Sequence, residues 1–227
     1  MLPQAVFLDM DGTLIDSESV YTEALVRFMA SRGVELDEHE RTFILGHAWP
    51  DIHAELRIEQ RLGLDLTATQ AEVTAMREPM RAEGIDFEVL EGARELVATL
   101  TRLEVPVMVV SGSCRAELVE AIALLGIGDQ LRTYYGCEDY SRGKPAPDGY
   151  LAAARHLGVE PSACVVFEDS EAGIASGLAA GMRVVATSAA NRPPETPGHQ
   201  DQAKAHRIVS SLAGIDDAFL RSVMQGE

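Results

Sequence analysis

Short apolar segments alternate with helical segments along most of this chain, and this alternation limits the possible folds most strongly. Ala5–Leu8 is an apolar run that ends at Asp9, as expected of a buried strand. The later predicted strands are 106–111, 163–168 and 183–187, and the predicted helices are 93–103, 115–125, 149–157, 170–180 and 215–223. Such alternation requires crossover connections, so the predicted class is α/β, a Rossmann-like parallel sheet with helices on both faces.

A helical block separates the first strand from the others. Helical spacing runs from Ser17 to Gly33 and returns at 51–62 and 67–81, with no convincing strand between them. We therefore expect a core domain of residues 1–15 and 91–227, with a small all-helical cap domain, 16–90, inserted into it. Two connectors, near residues 16–17 and 89–92, would join the domains; side by side, they can act as a hinge. Residues 191–201 are predicted to form a Pro-rich surface loop.

Composition excludes several classes of function. The chain has 36 acidic and 19 basic residues, a formal net charge of −17, which disfavours nucleic acid and anionic membranes as partners. No apolar run reaches the ~18 residues that a membrane span needs. The start lacks the features of a secretory signal, and the three cysteines are too widely spaced for a disulfide framework. We expect a cytoplasmic monomer.

Residues with reactive side chains follow the predicted strands, at the sheet edge where α/β proteins bind ligands. They are Asp9 and Asp11 after the first strand, Ser111 after the second, Glu168 and Asp169 after the third, and Lys144 in the loop before a helix. Gly112, beside Ser111, is a candidate for binding substrate. Each alone has an ordinary explanation, because Asp and Ser often form turns or cap helices. Together, crowded carboxylates repel one another unless a cation is present, and Mg²⁺ suits oxygen ligands.

These residue types predict phosphoryl transfer. One carboxylate beside the metal can attack phosphorus, and a second, two residues on, can protonate the leaving oxygen and then activate water. Ser111 and Lys144 can hold the phosphoryl oxygens. Lys144 is one of only two lysines in a chain whose other basic residues are arginines. A compact ammonium is therefore present where a point charge suits the chemistry.

At these residues the chain resembles the haloacid dehalogenase superfamily, specifically its phosphatases with a C1-type helical cap, the branch of the sugar phosphatases and β-phosphoglucomutases. The motifs that carry the resemblance are Asp9-Met10-Asp11-Gly12-Thr13-Leu14, Ser111, Lys144-Pro145, and Glu168-Asp169 with Gly173. They occur in the family's order, and the resemblance covers essentially the whole chain.

The resemblance also implies residue roles. Asp9 would be the nucleophile and a Mg²⁺ ligand, and Asp11 the acid/base and a ligand through its backbone carbonyl. Asp169 would bind Mg²⁺, and Glu168 would bind the metal or orient its waters. The dehalogenase branch lacks a second Asp at position 11 and the phosphonatase branch has a small residue there, so Asp11 favours phosphoryl transfer.

The cap is expected to exclude water and contact the substrate. Its candidate residues are Glu18, Tyr21, His47, Trp49 and Arg77. Each has a simpler interpretation: Tyr21 and Trp49 as packing residues, His47 as a surface or capping residue, Arg77 as a solvated charge.

The predicted function is a Mg²⁺-dependent phosphatase that hydrolyses small phosphate monoesters, sugar or polyol phosphates, through an aspartyl-phosphate. The alternative is a β-phosphoglucomutase-like phosphosugar mutase. Those mutases carry an Arg in the cap loop for a second phosphate, where this chain has His47-Ala48-Trp49 after Gly46, and the difference favours hydrolysis. A non-catalytic binding protein on the same scaffold is the third alternative.

Overall fold

The computed structural model describes residues 1–47, 49–131 and 133–226. The chain divides into two compact units. We call Met1–Ile15, Val89–Asn191 and Gln200–Glu227 the α/β unit, and Asp16–Glu88 with Arg192–His199 the helical unit. The helical unit thus includes most of the Pro-rich segment, which the sequence had placed in the core domain.

The α/β unit is built on a six-stranded sheet in which every neighbouring pair is parallel. Its strands, in spatial order, are β5 (Tyr134–Tyr135), β4 (Val107–Val110), β1 (Ala5–Leu8), β6 (Cys164–Glu168), β7 (Arg183–Thr187) and β8 (Arg207–Val209). Its helices are α6 (Ala93–Arg102), α7 (Arg115–Leu125), α8 (Asp148–Leu157), α9 (Glu171–Ala179) and α10 (Asp217–Gln225). The predicted α/β class with a parallel sheet is confirmed.

The core of this unit explains why β1 is central. All four residues of β1 are buried, and β1 pairs with β4 on one side and β6 on the other. Side chains alternate between the two faces of a strand, so burial of every residue means that both faces are covered. Helices α8 and α9 contribute Tyr150 and Ile174 to the core on one face.

Five helices lie in the described part of the helical unit. They are α1 (Glu18–Ser31), α2 (Glu38–Ile44), α3 (Trp49–Glu55), α4 (Ile58–Leu62) and α5 (Leu66–Ala82). Helix α1 packs against α5. Two short strands, β2 (Ile15–Asp16) and β3 (Glu88–Val89), pair with each other at two of the four positions where the chain passes between units.

The structure corrects the single helix predicted over 51–62. Arg57 adopts a left-handed conformation, with φ of 50°, and separates α3 from α4. The break lets its neighbours Leu56 and Ile58 both be fully buried. Helix α2 was not predicted, although Asp37 and Glu40 form a capping box at its start.

No helix in the described part of the chain is long and apolar enough to cross a membrane.

Candidate active site

The loop after β1 begins with Asp9, which is buried beside β6. Asp9 is 4% exposed, and its backbone N–H donates to the Phe167 carbonyl oxygen at 3.0 Å. Gly12 follows with φ of +80°, and a Cβ atom there would lie 2.1 Å from Asp169 Oδ2. Only glycine suits this position, because both its conformation and the adjacent carboxylate exclude a side chain.

The loop after β4 supplies hydroxyl groups to Asp11. Ser111 Oγ donates to Asp11 Oδ2 at 3.1 Å, and Ser113 Oγ donates to the same oxygen at 2.7 Å. The backbone N–H of Ser113 donates to Ser111 Oγ at 3.0 Å. Gly112, between the serines, is exposed. The structure thus brings the predicted residues Asp11 and Ser111 together and adds Ser113, which was not singled out from the sequence.

Lys144 contacts two carboxylates. Its Nζ lies 2.5 Å from Glu168 Oε1 and is also in contact with Asp9 Oδ1. Burial acts to lower the pKa of Lys144, but Asp9 and Glu168 raise it well above its ordinary value. The ammonium therefore stays protonated near neutral pH and supplies a fixed positive charge.

Glu168 is fully buried and accepts several hydrogen bonds. Its Oε2 accepts from the backbone N–H of Asp169 at 3.0 Å, and from the backbone N–H and the hydroxyl of Ser170 at 3.2 and 3.0 Å. Its Oε1 accepts from the Tyr150 hydroxyl at 2.9 Å. Gly173 leaves room for this carboxylate, because a Cβ there would lie 1.8 Å from Oε1.

Asp9, Glu168 and Asp169 form a group that could hold a metal ion. One carboxylate oxygen from each lies within 4.8 Å of the others. Burial raises the pKa of Asp9 to about 8; Lys144 opposes this shift, and Glu168 and Asp11 add to it. Burial and the neighbouring carboxylates also raise the pKa of Asp169 well above its ordinary value.

A hard divalent cation fits this donor set. The three side chains offer only oxygen ligands, and their crowding disfavours ionisation unless more positive charge is added. The Asp11 carboxylate faces Ser111 and Ser113 instead, so the contact expected from Asp11, through its backbone carbonyl, stays a prediction.

Four of the candidate residues in the helical unit line one cavity of about 140 Å³. They are Glu18, Tyr21, His47 and Trp49, joined there by Thr22, Leu25, Ile44 and Ile52. Ala48 lies outside the described residues. The structure thus brings these candidates together within one unit, and their contact with substrate stays a prediction.

The side chains of this cavity are held by neighbours in the same unit. The Tyr21 and Trp49 rings meet edge to face at 6.5 Å. His47 stacks on Phe43, with ring centroids 3.9 Å apart. The Glu18 carboxylate accepts a hydrogen bond from the Gly46 backbone N–H and lies 3.8 Å from Arg192 Nε.

Arg77 is not a solvated charge, and that simpler interpretation is wrong. Its side chain is 2% exposed, its guanidinium carbon lies 3.7 Å from the centroid of Phe87 and 5.4 Å from that of Tyr21, and Nη2 pairs with Asp86 at 3.5 Å. Arg77 does not line the cavity. Its guanidinium packs against the ring of Tyr21, which does. Aromatic rings and a carboxylate together compensate for its burial.

Comparisons with known proteins identify the family of the chain. A family model described as a haloacid dehalogenase-like hydrolase matches residues 3–181. Hexitol phosphatase A of Escherichia coli is 35% identical over 204 residues, covering 83% of this chain and 83% of that protein.

Two other similar proteins extend the comparison. A bifunctional riboflavin kinase/FMN phosphatase of Arabidopsis thaliana is 31% identical over 216 residues, or 94% of this chain; the match spans only 55% of that protein. The crystal structure of a β-phosphoglucomutase from Clostridium difficile aligns with a TM-score of 0.72 and 18% identity, covering 99% of this chain and 98% of that one. At that identity the likeness concerns the fold.

Proposed function

The chain belongs to the haloacid dehalogenase-like hydrolases, and on that premise we propose that it is a phosphatase that hydrolyses small phosphate monoesters through an aspartyl-phosphate at Asp9. The observation that carries the proposal is the position of Asp9. Its carboxylate is buried in contact with the Lys144 ammonium and is grouped with Glu168 and Asp169. A carboxylate in such surroundings can act as a nucleophile toward an anionic phosphoryl group, because positive charge lies beside it.

In the first step an Asp9 oxygen attacks phosphorus. The new Oδ–P bond forms as the bond between phosphorus and the leaving alcohol oxygen breaks, and Asp11 gives its proton to that oxygen. Lys144 holds the non-bridging oxygens of the phosphoryl group, and Ser111 joins it by turning its single hydroxyl proton from Asp11 to a phosphoryl oxygen, which leaves Ser113 on Asp11. The hydrogen bonds from Ser111 and Ser113 to Asp11 Oδ2 support this division of roles, because they hold Asp11 separately from the Asp9 group.

In the second step Asp11 acts in the opposite sense. It accepts a proton from water, whose oxygen attacks phosphorus, and the Asp9–phosphorus bond breaks to release inorganic phosphate. The two aspartates differ in surroundings as this requires. Asp9 faces an ammonium, whereas Asp11 accepts hydrogen bonds from neutral hydroxyls.

A Mg²⁺ ion would be held by Asp9, Asp169 and the Asp11 carbonyl, with Glu168 binding it or orienting its waters. When bound, it supplies positive charge that lets the crowded carboxylates stay ionised beside an anionic substrate. The all-oxygen donor set supports this assignment.

We further propose that the alcohol part of the substrate is a sugar or a polyol, and that the helical unit recognises it. Hexitol phosphatase A, 35% identical, supports the class of substrate. Supporting contacts come from the cavity residues Glu18, Tyr21, His47 and Trp49, since aromatic side chains beside a carboxylate suit a ring or chain of hydroxyl groups. The guanidinium of Arg77, packed against the Tyr21 ring, would hold that ring in position.

The test is phosphate release from a panel of sugar, polyol, nucleotide and organic-acid monophosphates, compared by kcat/KM. We expect the sugar and polyol esters to give the highest kcat/KM. Asp9→Asn should abolish turnover of every ester, including p-nitrophenyl phosphate. Asp217→Asn, at the exposed start of α10, is the matched control and should keep wild-type turnover. Near-normal turnover by Asp9→Asn would exclude Asp9 as the nucleophile.

Two further assays separate the alternatives. Chelation of Mg²⁺ should abolish activity and excess Ca²⁺ should inhibit it, because Ca²⁺ takes looser coordination; full activity in chelator would contradict the metal assignment. Incubation with β-glucose 1-phosphate and a bisphosphate primer should release phosphate. Conversion to glucose 6-phosphate instead would favour the mutase.

A further inference from the structure

Tyr150 connects the two charged groups on which the site depends. It lies in the first turn of α8 and its side chain is 0% exposed. Its hydroxyl donates to Glu168 Oε1 at 2.9 Å, and the Lys144 ammonium lies 5.5 Å from the centroid of its ring. The same side chain therefore contacts the carboxylate that pairs with Lys144 and attracts the ammonium itself.

The shared oxygen is the important feature. Glu168 Oε1 accepts the Tyr150 hydroxyl and also lies 2.5 Å from Lys144 Nζ. Lys144 in turn contacts Asp9 Oδ1, so its ammonium is shared between two carboxylates. The position of the ammonium is set by the balance of the two attractions, and a second donor on Oε1 weakens the pull of Glu168.

We propose that Tyr150 is a positioning residue that keeps the Lys144 ammonium beside Asp9, where it can hold a phosphoryl group. Its hydroxyl occupies part of the acceptor capacity of Glu168, and its ring face adds an attraction for the ammonium. Tyr150 does not contact the substrate in this role. It acts through Glu168 and Lys144, and without its hydroxyl Lys144 would pair more closely with Glu168 and hold an anion less well.

A purely structural role for Tyr150 makes a different prediction. Its ring packs in the core of the α/β unit, 6.4 Å from the ring of Phe7, and Phe at position 150 would fill the same space. Tyr150→Phe therefore removes the hydroxyl and keeps the packing and the aromatic face. Tyr135→Phe is the matched control, because Tyr135 packs against His156 and the same core.

The test uses the full chain with Mg²⁺ and measures binding of inorganic phosphate by calorimetry, together with kcat and KM for p-nitrophenyl phosphate. For Tyr150→Phe we expect phosphate to bind about tenfold more weakly and kcat/KM to fall by a similar factor, as for loss of a hydrogen bond to a charged group. Tyr135→Phe should stay within twofold of wild type. Tyr150→Phe that binds phosphate as wild type does, or that fails to fold, would overturn the proposal.

A double-mutant cycle tests whether Tyr150 acts through Glu168. In a Glu168→Gln background, Tyr150→Phe should change phosphate affinity less than twofold, because the attraction that the hydroxyl moderates is gone. A full tenfold effect in both backgrounds would show that the hydroxyl does not work through Glu168. The turnover measurement rests on the proposed function and phosphate binding does not. A chain that hydrolyses no ester but loses phosphate affinity on Tyr150→Phe would refute only the proposed function.

Discussion

Nζ of Lys144 lies 2.5 Å from Oε1 of the fully buried Glu168 and at the same time contacts Oδ1 of Asp9. Removing the ammonium would leave two buried carboxylates facing each other without a balancing positive charge. The ammonium therefore offsets part of the charge of these two carboxylates, and in the proposed function it is also the group that holds the phosphoryl oxygens.

Lys144→Met should abolish anion binding and most activity. We expect kcat/KM to fall by a factor of about 100 or more, because the charge that stabilises the phosphoryl group is lost from a buried site. Lys204→Met is the matched control: Lys204, the other lysine, is exposed and pairs with Glu171 at 3.6 Å. Steady-state kinetics and phosphate calorimetry measure both. Equal behaviour of the two variants would contradict the role of Lys144.

Asp11→Asn should affect poor leaving groups more than good ones. An alkyl phosphate needs a proton on its leaving oxygen, so its turnover should fall by a factor of about 100 to 10,000. A p-nitrophenolate leaves without a proton, so its release should fall much less. The measurement is the initial burst or single turnover with each ester, which isolates the first step. An equal loss with both would show that Asp11 is not the acid.

The sequence predicts the centre of the α/β unit well because its strands there are buried on both faces. β1 was predicted at its observed bounds, Ala5–Leu8, since four buried apolar residues are followed by a charge. The edge strands were missed: β5 has two residues and β8, Arg207–Val209, is only partly buried, so neither forms an apolar run. Burial, which makes strands recognisable in sequence, is weakest at the sheet edges.

The candidate site was predictable where it depends on residue type at strand ends, and not where it depends on packing. Asp9, Glu168 and Asp169 were expected together, and the structure groups them. Nothing in the sequence singled out Tyr150, because a tyrosine on the apolar face of a helix is ordinarily interpreted as a core residue. The environment of Arg77 could not be predicted from the sequence either, since its partner Phe87 is ten residues away and outside its helix.

His206 should make the stability of the fold depend on pH. Its Nδ1 accepts the Val184 backbone N–H at 3.0 Å, and burial together with Arg183 lowers its pKa. The unfolded chain then binds the proton more readily than the folded one. The contribution of neutral His206 to the free energy of unfolding is therefore complete above pH ~6.5 and is lost as the pH falls through the folded-state pKa.

His206→Asn provides the comparison, because the Asn side chain can accept the same N–H without titrating. The wild type should lose stability relative to this variant between pH 7.5 and 5.5, in urea unfolding at each pH. Other titrating groups cancel in the difference. A constant difference between the two proteins would contradict the lowered pKa.

Gly173→Ala sets helix propensity against the space around Glu168. Ala in a helix interior is favoured over Gly by about 1 kcal/mol, and Gly173 lies in the first turn of α9, so propensity alone predicts a stabilisation of at most this size. A Cβ there would lie 1.8 Å from Glu168 Oε1, so the carboxylate must move and its bonds to Tyr150 and Lys144 must change. Overpacking of this kind costs about 1–3 kcal/mol, so we expect net destabilisation together with weaker phosphate binding.

Gly143→Ala is the control, since no atom lies within 4 Å of its added Cβ and its φ is not in the left-handed region. A Gly173→Ala protein that is more stable and binds phosphate normally would show that Glu168 can move without loss, and its hydrogen bonds would then not define the site.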